Sequence, residues 1–177
     1  MHPVIYDVAV SLDGYISGPQ GDISCFAHDG PVVEDYFARM AGYATAIMGR
    51  ETYAFGYRFG MEPGQNPYDH MRSHVFSERL ELPEKRAVTL HREASHAQVA
   101  EVIHGSDGPV YLCGGGAFAG ALLGWGLIDR LRVKRAPVVL GGGTRLFGDC
   151  PVRPELRLMS QTVYDGGYLY QEFEIIR

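Results

Sequence analysis

Cysteine is scarce in this 177-residue chain, and long apolar runs are missing. Its three cysteines, Cys25, Cys113 and Cys150, lie far apart and form no Cys-x-x-Cys pair. We therefore expect reduced structural thiols rather than a disulfide framework or a zinc site. No apolar run is long enough to span a bilayer, and the N-terminal segment lacks the regions of a secretion signal. We expect a cytoplasmic protein with no membrane partner.

The chain also lacks an excess of basic residues. It has 16 Lys and Arg against 21 Asp and Glu, which gives a formal net charge of -5 at pH 7. General nucleic-acid binding needs a basic surface, so we expect no nucleic-acid partner. His70 and His74 have the spacing of one helical turn, but Pro67 precedes them and no carboxylate completes a known ligand pattern. We expect no metal site.

Length and a hydrophobic content of 46% indicate one domain over residues 1–177. An apolar segment at 4–10 predicts a central strand, and 32–42 has helical spacing. Between them, the loop at 18–31 is rich in Gly, Asp and Pro, as in loops that cover ligands. Residues 156–164 and 168–176 flank a hairpin signal. The pattern predicts an α/β three-layer sandwich with a mostly parallel central sheet and an antiparallel C-terminal hairpin.

A glycine triplet at a strand-to-helix junction is the most informative motif. The apolar strand at 110–113 runs into Gly114, Gly115 and Gly116, and a helix begins at once. Glycines there let the backbone approach a ligand closely, while the helix start offers free N–H groups to an anion. The pyrophosphate of a dinucleotide would fit. Close packing of a strand against a helix would need the same glycines, so that alternative stays open.

Two further strand ends carry groups that bind anions. Gly49, Arg50 and Thr52 combine a guanidinium and a hydroxyl at a helix start, although an Arg solvated there is the alternative. Ser77 and Arg79 follow another strand, where they would suit an adenosine ribose and its 2′-phosphate, or would be ordinary loop residues. Ligands of open α/β sheets collect at the carboxyl ends of parallel strands, so the agreement of three such ends favours a dinucleotide site.

In these motifs the chain resembles the dihydrofolate reductase superfamily, most of all the RibD C-terminal domain-like branch, which holds the reductase of the bifunctional riboflavin-biosynthesis enzyme. The resemblance covers nearly the whole chain and is carried by Ser-Leu-Asp-Gly-Tyr-Ile at 11–16, Met-Gly-Arg-Glu-Thr-Tyr at 48–53, the triplet at 114–116, and Ala-Pro-Val-Val-Leu-Gly-Gly-Gly at 136–143 with Leu146 and Phe147. It implies an NADPH-dependent reductase without metal or covalent cofactor.

By resemblance, Ala9 and Ile16 flank the nicotinamide, and residues 114–117 hold the pyrophosphate. Arg50 and Thr52 would hold phosphates, and Ser77 and Arg79 would hold the adenosine end. The implied cofactor-binding residues are Ala9, Ile16, Gly49, Arg50, Thr52, Ser77, Arg79, Gly114, Gly115, Gly116 and Ala117. The resemblance also implies a cis peptide between Gly114 and Gly115. The second triplet, Gly141, Gly142 and Gly143, and the preceding Leu140 would lie nearer the substrate.

One position departs from the pattern of dihydrofolate reductases. Val33 occupies the place where those enzymes have a carboxylate, and the adjacent Glu34 and Asp35 point elsewhere on a helix because one residue turns it by about 100°. The chain also has no zinc-deaminase motif, so it matches the reductase half of the bifunctional enzyme. We expect Asp13 to be the proton donor, with Glu34 as second candidate. Asp13 could equally be a turn residue that bonds its own backbone ahead of Gly14.

The sequence thus predicts an NADPH-dependent oxidoreductase that passes a hydride to a C=N or C=O bond of a small heterocyclic or sugar-linked substrate. The pocket would lie between the first strand, the loop at 18–31 and the second triplet. The alternatives are a folate or pteridine reductase of the same fold and a non-catalytic nucleotide-binding protein. We also expect a homodimer, formed through the aromatic-rich segment 164–173.

Overall fold

The computed structural model describes residues 2–176, which form ten strands and four α-helices. The strands, in chain order, are β1 (Val4–Val10), β2 (Tyr15–Ser17), β3 (Thr45–Gly49), β4 (Arg72–Phe76), β5 (Thr89–His91), β6 (Val110–Gly114), β7 (Arg130–Arg135), β8 (Thr144–Arg145), β9 (Glu155–Val163) and β10 (Leu169–Ile176). The helices are α1 (Pro31–Met40), α2 (Arg50–Phe55), α3 (His96–His104) and α4 (Gly116–Gly124).

Eight of the strands form one sheet in the order β5-β4-β3-β6-β1-β7-β10-β9. The first six of that order run parallel, whereas β10 is antiparallel to both β7 and β9. The interior position of β1 explains its almost unbroken apolar character, because a strand covered on both faces needs apolar side chains on both. The predicted α/β fold, with its parallel centre and antiparallel hairpin, is confirmed.

Helices cover both faces of the sheet and make the outer two layers. On one face, Val99 and Ile103 of α3 and Leu122 of α4 pack in a core with Leu112 of β6. On the other, a second core contains Met40 of α1. Alternate residues of a strand supply opposite faces, which is why the central strands β1, β3, β4 and β6 each contribute to both cores.

The parallel strands end at one rim of the sheet. Because β4, β3 and β6 are neighbours, the turns that begin at Ser77, Arg50 and Gly115 lie along adjacent positions of that rim. The carboxyl ends of β1 and β7 continue the rim on the other side of β6. The topology therefore puts the three predicted anion-binding turns on the edge where open α/β sheets bind ligands.

A small second sheet lies over this rim and is absent from the sequence-based expectations. In it β2 pairs antiparallel with β8, far away in the chain. A Cβ on Gly143 would stand 2.0 Å from the carbonyl oxygen of Ser17, so only glycine permits this approach. The loop at 18–31 contains a single 3-10 turn, Pro19–Gly21. Within residues 2–176, no helix combines the length and apolar character needed to cross a membrane.

Candidate active site

The turn after β6 is built from two glycines with left-handed backbone angles. Gly114 has φ +122° and Gly115 has φ +53°, backbone angles that residues other than glycine rarely adopt. The implied cis peptide between them is wrong, since this bond is trans. The chain reverses through the two positive φ angles instead. A Cβ on Gly115 would stand 3.0 Å from Thr52 Oγ1, so the glycine opens a cradle beside that hydroxyl.

A cleft of about 500 Å³ opens along this turn. Its walls combine backbone of the glycine turn, residues of α2 and the following turn, and residues of β2 and the loop at 18–31. The lining residues are Val8, Ile16, Ser17, Gln20, Gly21, Ile23, Glu51, Thr52, Phe55, Arg58, Cys113, Gly114, Gly115 and Thr144. Four of the predicted cofactor-binding residues, Ile16, Thr52, Gly114 and Gly115, therefore share one cleft.

The other predicted residues on the α2 side lie next to the cleft rather than in its wall. Gly49 has its open side against Phe118 of α4, where a Cβ would be 3.4 Å from the Phe118 Cβ. Arg50 is exposed and forms an ion pair with Glu51, itself a lining residue. The guanidinium in the wall is that of Arg58, which donates to the backbone oxygen of Gln20 at 3.1 Å.

Ser77 and Arg79 form a local turn at the end of β4. The Ser77 hydroxyl accepts hydrogen bonds from the backbone N–H of Arg79 at 3.2 Å and of Leu80 at 2.9 Å. Arg79 is exposed, and neither residue lines the cleft. These contacts fit the alternative of an ordinary loop, while the position on the rim fits the adenosine end, so their binding role stays a prediction.

Gly116 and Ala117, the remaining residues of the first motif, stand outside the cleft wall. A Cβ on Gly116 would come within 2.1 Å of the carbonyl oxygen of Arg145, and Ala117 is exposed. On the same helix, a Cβ on Gly120 would be 2.3 Å from the Phe147 oxygen. The motif thus divides into two glycines that shape the cleft and a third that packs helix α4 against the 145–147 segment.

A second cavity of about 310 Å³ adjoins the cleft. It is enclosed by β1, the loop at 18–31, one face of α1, β6 and β7. The lining residues are Asp7, Val8, Ala9, Ile23, Phe26, Ala27, His28, Val32, Val33, Tyr36, Phe37, Tyr111, Cys113, Lys134 and Tyr168. Both spaces touch Val8, Ile23 and Cys113, so they share a wall. Ala9, expected beside a nicotinamide, lines this second cavity.

Charged side chains form part of the wall of this otherwise apolar cavity. Lys134 Nζ donates to Asp7 Oδ1 at 3.0 Å and lies 3.6 Å from the centre of the Tyr36 ring. The Lys134 side chain is 12% exposed and that of Asp7 is fully buried. Asp7 Oδ2 accepts from Tyr43 OH at 3.1 Å and from Arg39 Nε at 3.4 Å. Burial lowers the pKa of Lys134, while the Asp7 carboxylate opposes that shift.

Tyrosine hydroxyls and a thiol surround the same wall. Tyr36 and Tyr111 share a hydrogen bond of 2.9 Å, and Tyr68 OH lies 2.9 Å from Cys113 Sγ. Burial raises the pKa of each of these tyrosines and of the Cys113 thiol. The groups therefore stay protonated at neutral pH and act as neutral hydrogen-bond partners.

Asp13 is held in a turn away from the cavity. Its carboxylate accepts from Ser11 Oγ at 2.6 Å and from the backbone N–H groups of Leu140 at 3.1 Å and Gly141 at 2.8 Å. The Ser11 hydrogen bond, aided by those two amides, lowers the pKa of Asp13 to about 2. An acid that is already ionised has no proton to give, so these contacts favour the turn role over the proton donor.

The two acids of α1 also stay out of the cavity wall. Val33 lines it, as expected from the alignment, whereas Glu34 and Asp35 do not. Glu34 is exposed, and Asp35 accepts a hydrogen bond of 2.6 Å from Tyr164 OH. The carboxylate at this wall comes instead from Asp7 on β1.

The second glycine triplet does not form part of the wall of the apolar cavity. Leu140, Gly141, Gly142 and Gly143 are missing from its wall, and the triplet connects the Asp13 turn to β8. Gly141 and Gly142 face open space, where an added Cβ would meet nothing within 4 Å. The predicted third side of the pocket is therefore formed by β7 and Tyr168 instead, and a substrate contact of this triplet stays a prediction.

Sequence reasoning missed Asp7, Lys134 and Arg58 as site residues. Asp7 carried a signal, because it is the one charged residue in a strand that is otherwise apolar. Lys134 carried none, since it alternates with arginines along β7 and only the packing decides which cation is buried. For metals, His70 Nε2 lies 2.9 Å from the Met40 oxygen and His74 pairs with His91, and residues 2–176 contain no cluster of ligands for an ion.

Comparisons with known proteins agree with this architecture. The uncharacterized protein YyaP of Bacillus subtilis (strain 168) is 23% identical over 174 residues, covering 93% of this chain and 90% of that protein. The solved putative riboflavin biosynthesis protein from Shewanella sp. PV-4 has a TM-score of 0.80 and 23% identity, with 100% of each chain covered. Dihydrofolate reductase from Enterococcus faecalis, complexed with NADP(H), has a TM-score of 0.70 and 13% identity over 99% of this chain and 97% of that one.

The family itself follows from a match that spans most of the chain. The RibD C-terminal domain matches residues 2–170, which include the first glycine turn, both cavities and the buried pair on β1 and β7. The resemblance noted in the sequence is confirmed by that match. The chain belongs to the RibD C-terminal domain family.

Proposed function

We propose that the protein is an NADPH-dependent reductase that passes a hydride to a C=N or C=O bond of a small heterocyclic or sugar-linked substrate. The observation that carries this proposal is the wall shared by the two cavities, made by Val8, Ile23 and Cys113. A cofactor in the glycine-lined cleft and a ring in the apolar cavity would meet there. Hydride transfer needs such contact, because the rate depends on holding both partners at reacting distance.

The cleft fits a dinucleotide. The missing Cβ of Gly115 leaves room beside Thr52 Oγ1, and Arg58 adds a cation to the wall. Backbone N–H groups, a hydroxyl and a guanidinium are the partners that phosphate oxygens prefer. The relative from E. faecalis was solved with NADP(H), and family membership supports a reductase. We extend that cofactor to this chain, where it would supply the hydride.

The apolar cavity favours a flat ring as substrate. Phe26, Tyr36, Phe37 and Tyr111 provide aromatic surface, and the cavity of about 310 Å³ suits a small heterocycle. A riboflavin-pathway compound is one candidate. The folate or pteridine alternative loses its expected support, because neither Glu34 nor Asp35 reaches the cavity wall.

An assay of NADPH oxidation against pteridines, pyrimidine ribosides and quinones tests the function. We expect saturable turnover with at least one ring of this panel. The variant Val33→Trp fills the apolar cavity from α1 and should abolish turnover while NADPH still binds. Val152→Trp, an exposed position outside both walls, should behave as wild type. NADPH binding without turnover across the panel would favour the non-catalytic nucleotide-binding protein.

We also propose a homodimer, with its contact on β9 rather than at 164–173. Within that segment Tyr170 is buried and the Tyr164 hydroxyl donates to Asp35, so these two aromatic side chains are already engaged within the chain. All nine residues of β9 are exposed, and Val163 is 74% exposed. The strand pairs with β10 on one side and leaves its other edge open. A long exposed edge with apolar side chains suits a second copy of this chain.

A further inference from the structure

Lys134 is the cationic side chain that reaches the apolar cavity from β7. It lies opposite Ala9 in the β1–β7 pairing, close to the wall shared with the cleft. Asp7 Oδ1 is the hydrogen-bond acceptor of its Nζ within residues 2–176, and the Tyr36 ring covers another side of the ammonium. An ammonium has three N–H donors. It can therefore offer a donor to a ligand without breaking the pair with Asp7.

Positive charge exceeds negative charge around this wall. Lys134 and Arg39 both face the single carboxylate of Asp7, and Tyr43 donates to the same carboxylate. The charged and titratable groups around Lys134 come from several elements. They are Asp7 on β1, Arg39 and Tyr36 on α1, Tyr111 and Cys113 on β6, Tyr170 opposite it on β10, and His28 and Tyr168 in the cavity wall. A site with surplus positive charge in an apolar surrounding attracts an electron-rich acceptor atom.

We propose that Lys134 binds the oxygen or nitrogen of the substrate's reducible double bond and protonates that atom, while Asp7 and Tyr36 hold its Nζ in position. This inference rests on the proposed reductase function and names its proton donor. As the new C–H bond forms, the π electron pair of C=O or C=N moves to the oxygen or nitrogen, which takes a proton from Nζ. NADPH bound in the cleft would supply the hydride of that C–H bond, and Lys134 regains its proton from solvent.

A proton donor at Lys134 restricts the class of substrate that can be reduced. The substrate ring would lie against Tyr36. The oxygen or nitrogen of its reducible double bond would stand at the ring edge that faces β7, not at the edge that faces the mouth of the cavity. Cyclic carbonyls and imines with one such edge fit, whereas a ring whose reducible atom is blocked at that edge does not. Asp7 is a positioning residue, because its carboxylate acts on the substrate only through Lys134.

The chain offers an unusually direct test, since it contains two lysines, Lys134 and the exposed Lys85. Protein labelled with ¹³C at lysine Cε gives two side-chain resonances, and Lys85→Met assigns them. With NADP⁺ present, lumazine, uridine and menadione serve as ring probes. We expect at least one to shift the Lys134 resonance and leave that of Lys85 in place. If no probe moves the Lys134 resonance, or if both resonances move alike, the inference is wrong.

Kinetics provide the second arm. Lys134→Met should keep the affinity for NADPH but lower kcat by about 10²–10⁴-fold and remove the alkaline limb of the pH profile of kcat. In Lys85→Met, the affinity for NADPH, kcat and the pH profile should all be as in the wild type. Asp7→Asn should lower kcat and shift that limb, because the ammonium loses its partner. Wild-type turnover in Lys134→Met would overturn the proton donor but leave the reductase standing. Absence of turnover in the wild type would instead refute the reductase, and the resonance shift would still report on binding at Lys134.

Discussion

At the scale of single residues, two glycines from different triplets have opposite tolerances. A methyl group on Gly116 would meet the Arg145 oxygen at 2.1 Å, whereas one on Gly142 would meet nothing within 4 Å. We predict that Gly116→Ala lowers the free energy of unfolding by about 1–3 kcal/mol through overpacking. Gly142→Ala should stay within about 0.5 kcal/mol of wild type. Urea unfolding of both variants checks this, and equal stability would refute the packing role.

Asp13 gives a second residue-scale prediction. Asp13→Asn replaces one acceptor oxygen by an NH₂ group that faces N–H donors of Leu140 and Gly141. We expect a lower Tm, because those hydrogen bonds are lost. We expect kcat to avoid the drop of about 10²-fold or more that follows removal of a general acid. Steady-state kinetics decide, and a loss of that size with an unchanged Tm would restore Asp13 as the proton donor.

The role of a residue could be predicted from the sequence where it depends on neighbours in the chain, and not where it depends on distant contacts. The positive φ of Gly114 and Gly115 could be expected from a strand that turns at once into a helix. The purpose of Gly116 could not, because the oxygen that excludes its side chain comes from Arg145, distant in the chain. The burial of Lys134 among β7 cations was equally hidden, since burial depends on which strands flank it.

At the scale of elements, β4 and β5 are joined by a pair of histidines. His74 Nδ1 lies 2.9 Å from His91 Nε2, and the rings stack. Burial, together with the nearby His91, lowers the pKa of His74 from 6.5 to about 4. The folded protein thus holds His74 neutral where the unfolded chain would be protonated. Its contribution to stability is complete above pH 6.5 and is lost as the pH falls toward 4.

We therefore predict that the free energy of unfolding falls as the pH is lowered through this window. Replacing both histidines by Gln should flatten that dependence, while replacing the exposed His2 by Gln should leave it unchanged. Chemical unfolding at a series of pH values measures the slope. A slope that persists in the double variant would assign the acid sensitivity to other groups.

Secondary structure was predictable for elements with a strong local pattern. The strand over 4–10 and the hairpin follow from apolar periodicity and from the glycines at its turn. The pairing of β2 with β8 was not predictable, because both strands are very short and their partner choice depends on close backbone approach at Gly143. That pairing lays Ser17 and Thr144 on the wall of the cleft.

At the scale of the whole molecule, the open edge of β9 yields a prediction on assembly. We expect the protein to sediment as a dimer at micromolar concentration. Leu156→Glu with Leu158→Glu should give a folded monomer, because both side chains are exposed in one chain and would place like charges across the interface. Sedimentation velocity with circular dichroism tests this. A monomeric wild type, or a dimeric double variant, would contradict the proposed contact.

The arrangement of the rim was foreseeable at this scale, while the sheet order was not. Three strand ends carry glycine, hydroxyl or guanidinium groups, and parallel strands bring such ends to one rim whatever the strand order. The order decided which of them share a cleft: Thr52 beside Gly114 and Gly115, with Arg58 rather than Arg50 as the cation in its wall. Packing therefore selected the site from a larger set of plausible residues.

Equilibrium titration with NADPH, followed by the fluorescence of the reduced nicotinamide, shows whether the cleft binds the proposed cofactor. We expect saturable binding by the wild type and by Lys134→Met. We expect affinity weakened by about tenfold in Arg58→Ala, where a charged partner of the phosphates is lost. Equal affinity for NADPH in all three proteins would show that Arg58 does not bind the phosphates. The absence of saturable NADPH binding by the wild type would refute the proposed NADPH-dependent reductase.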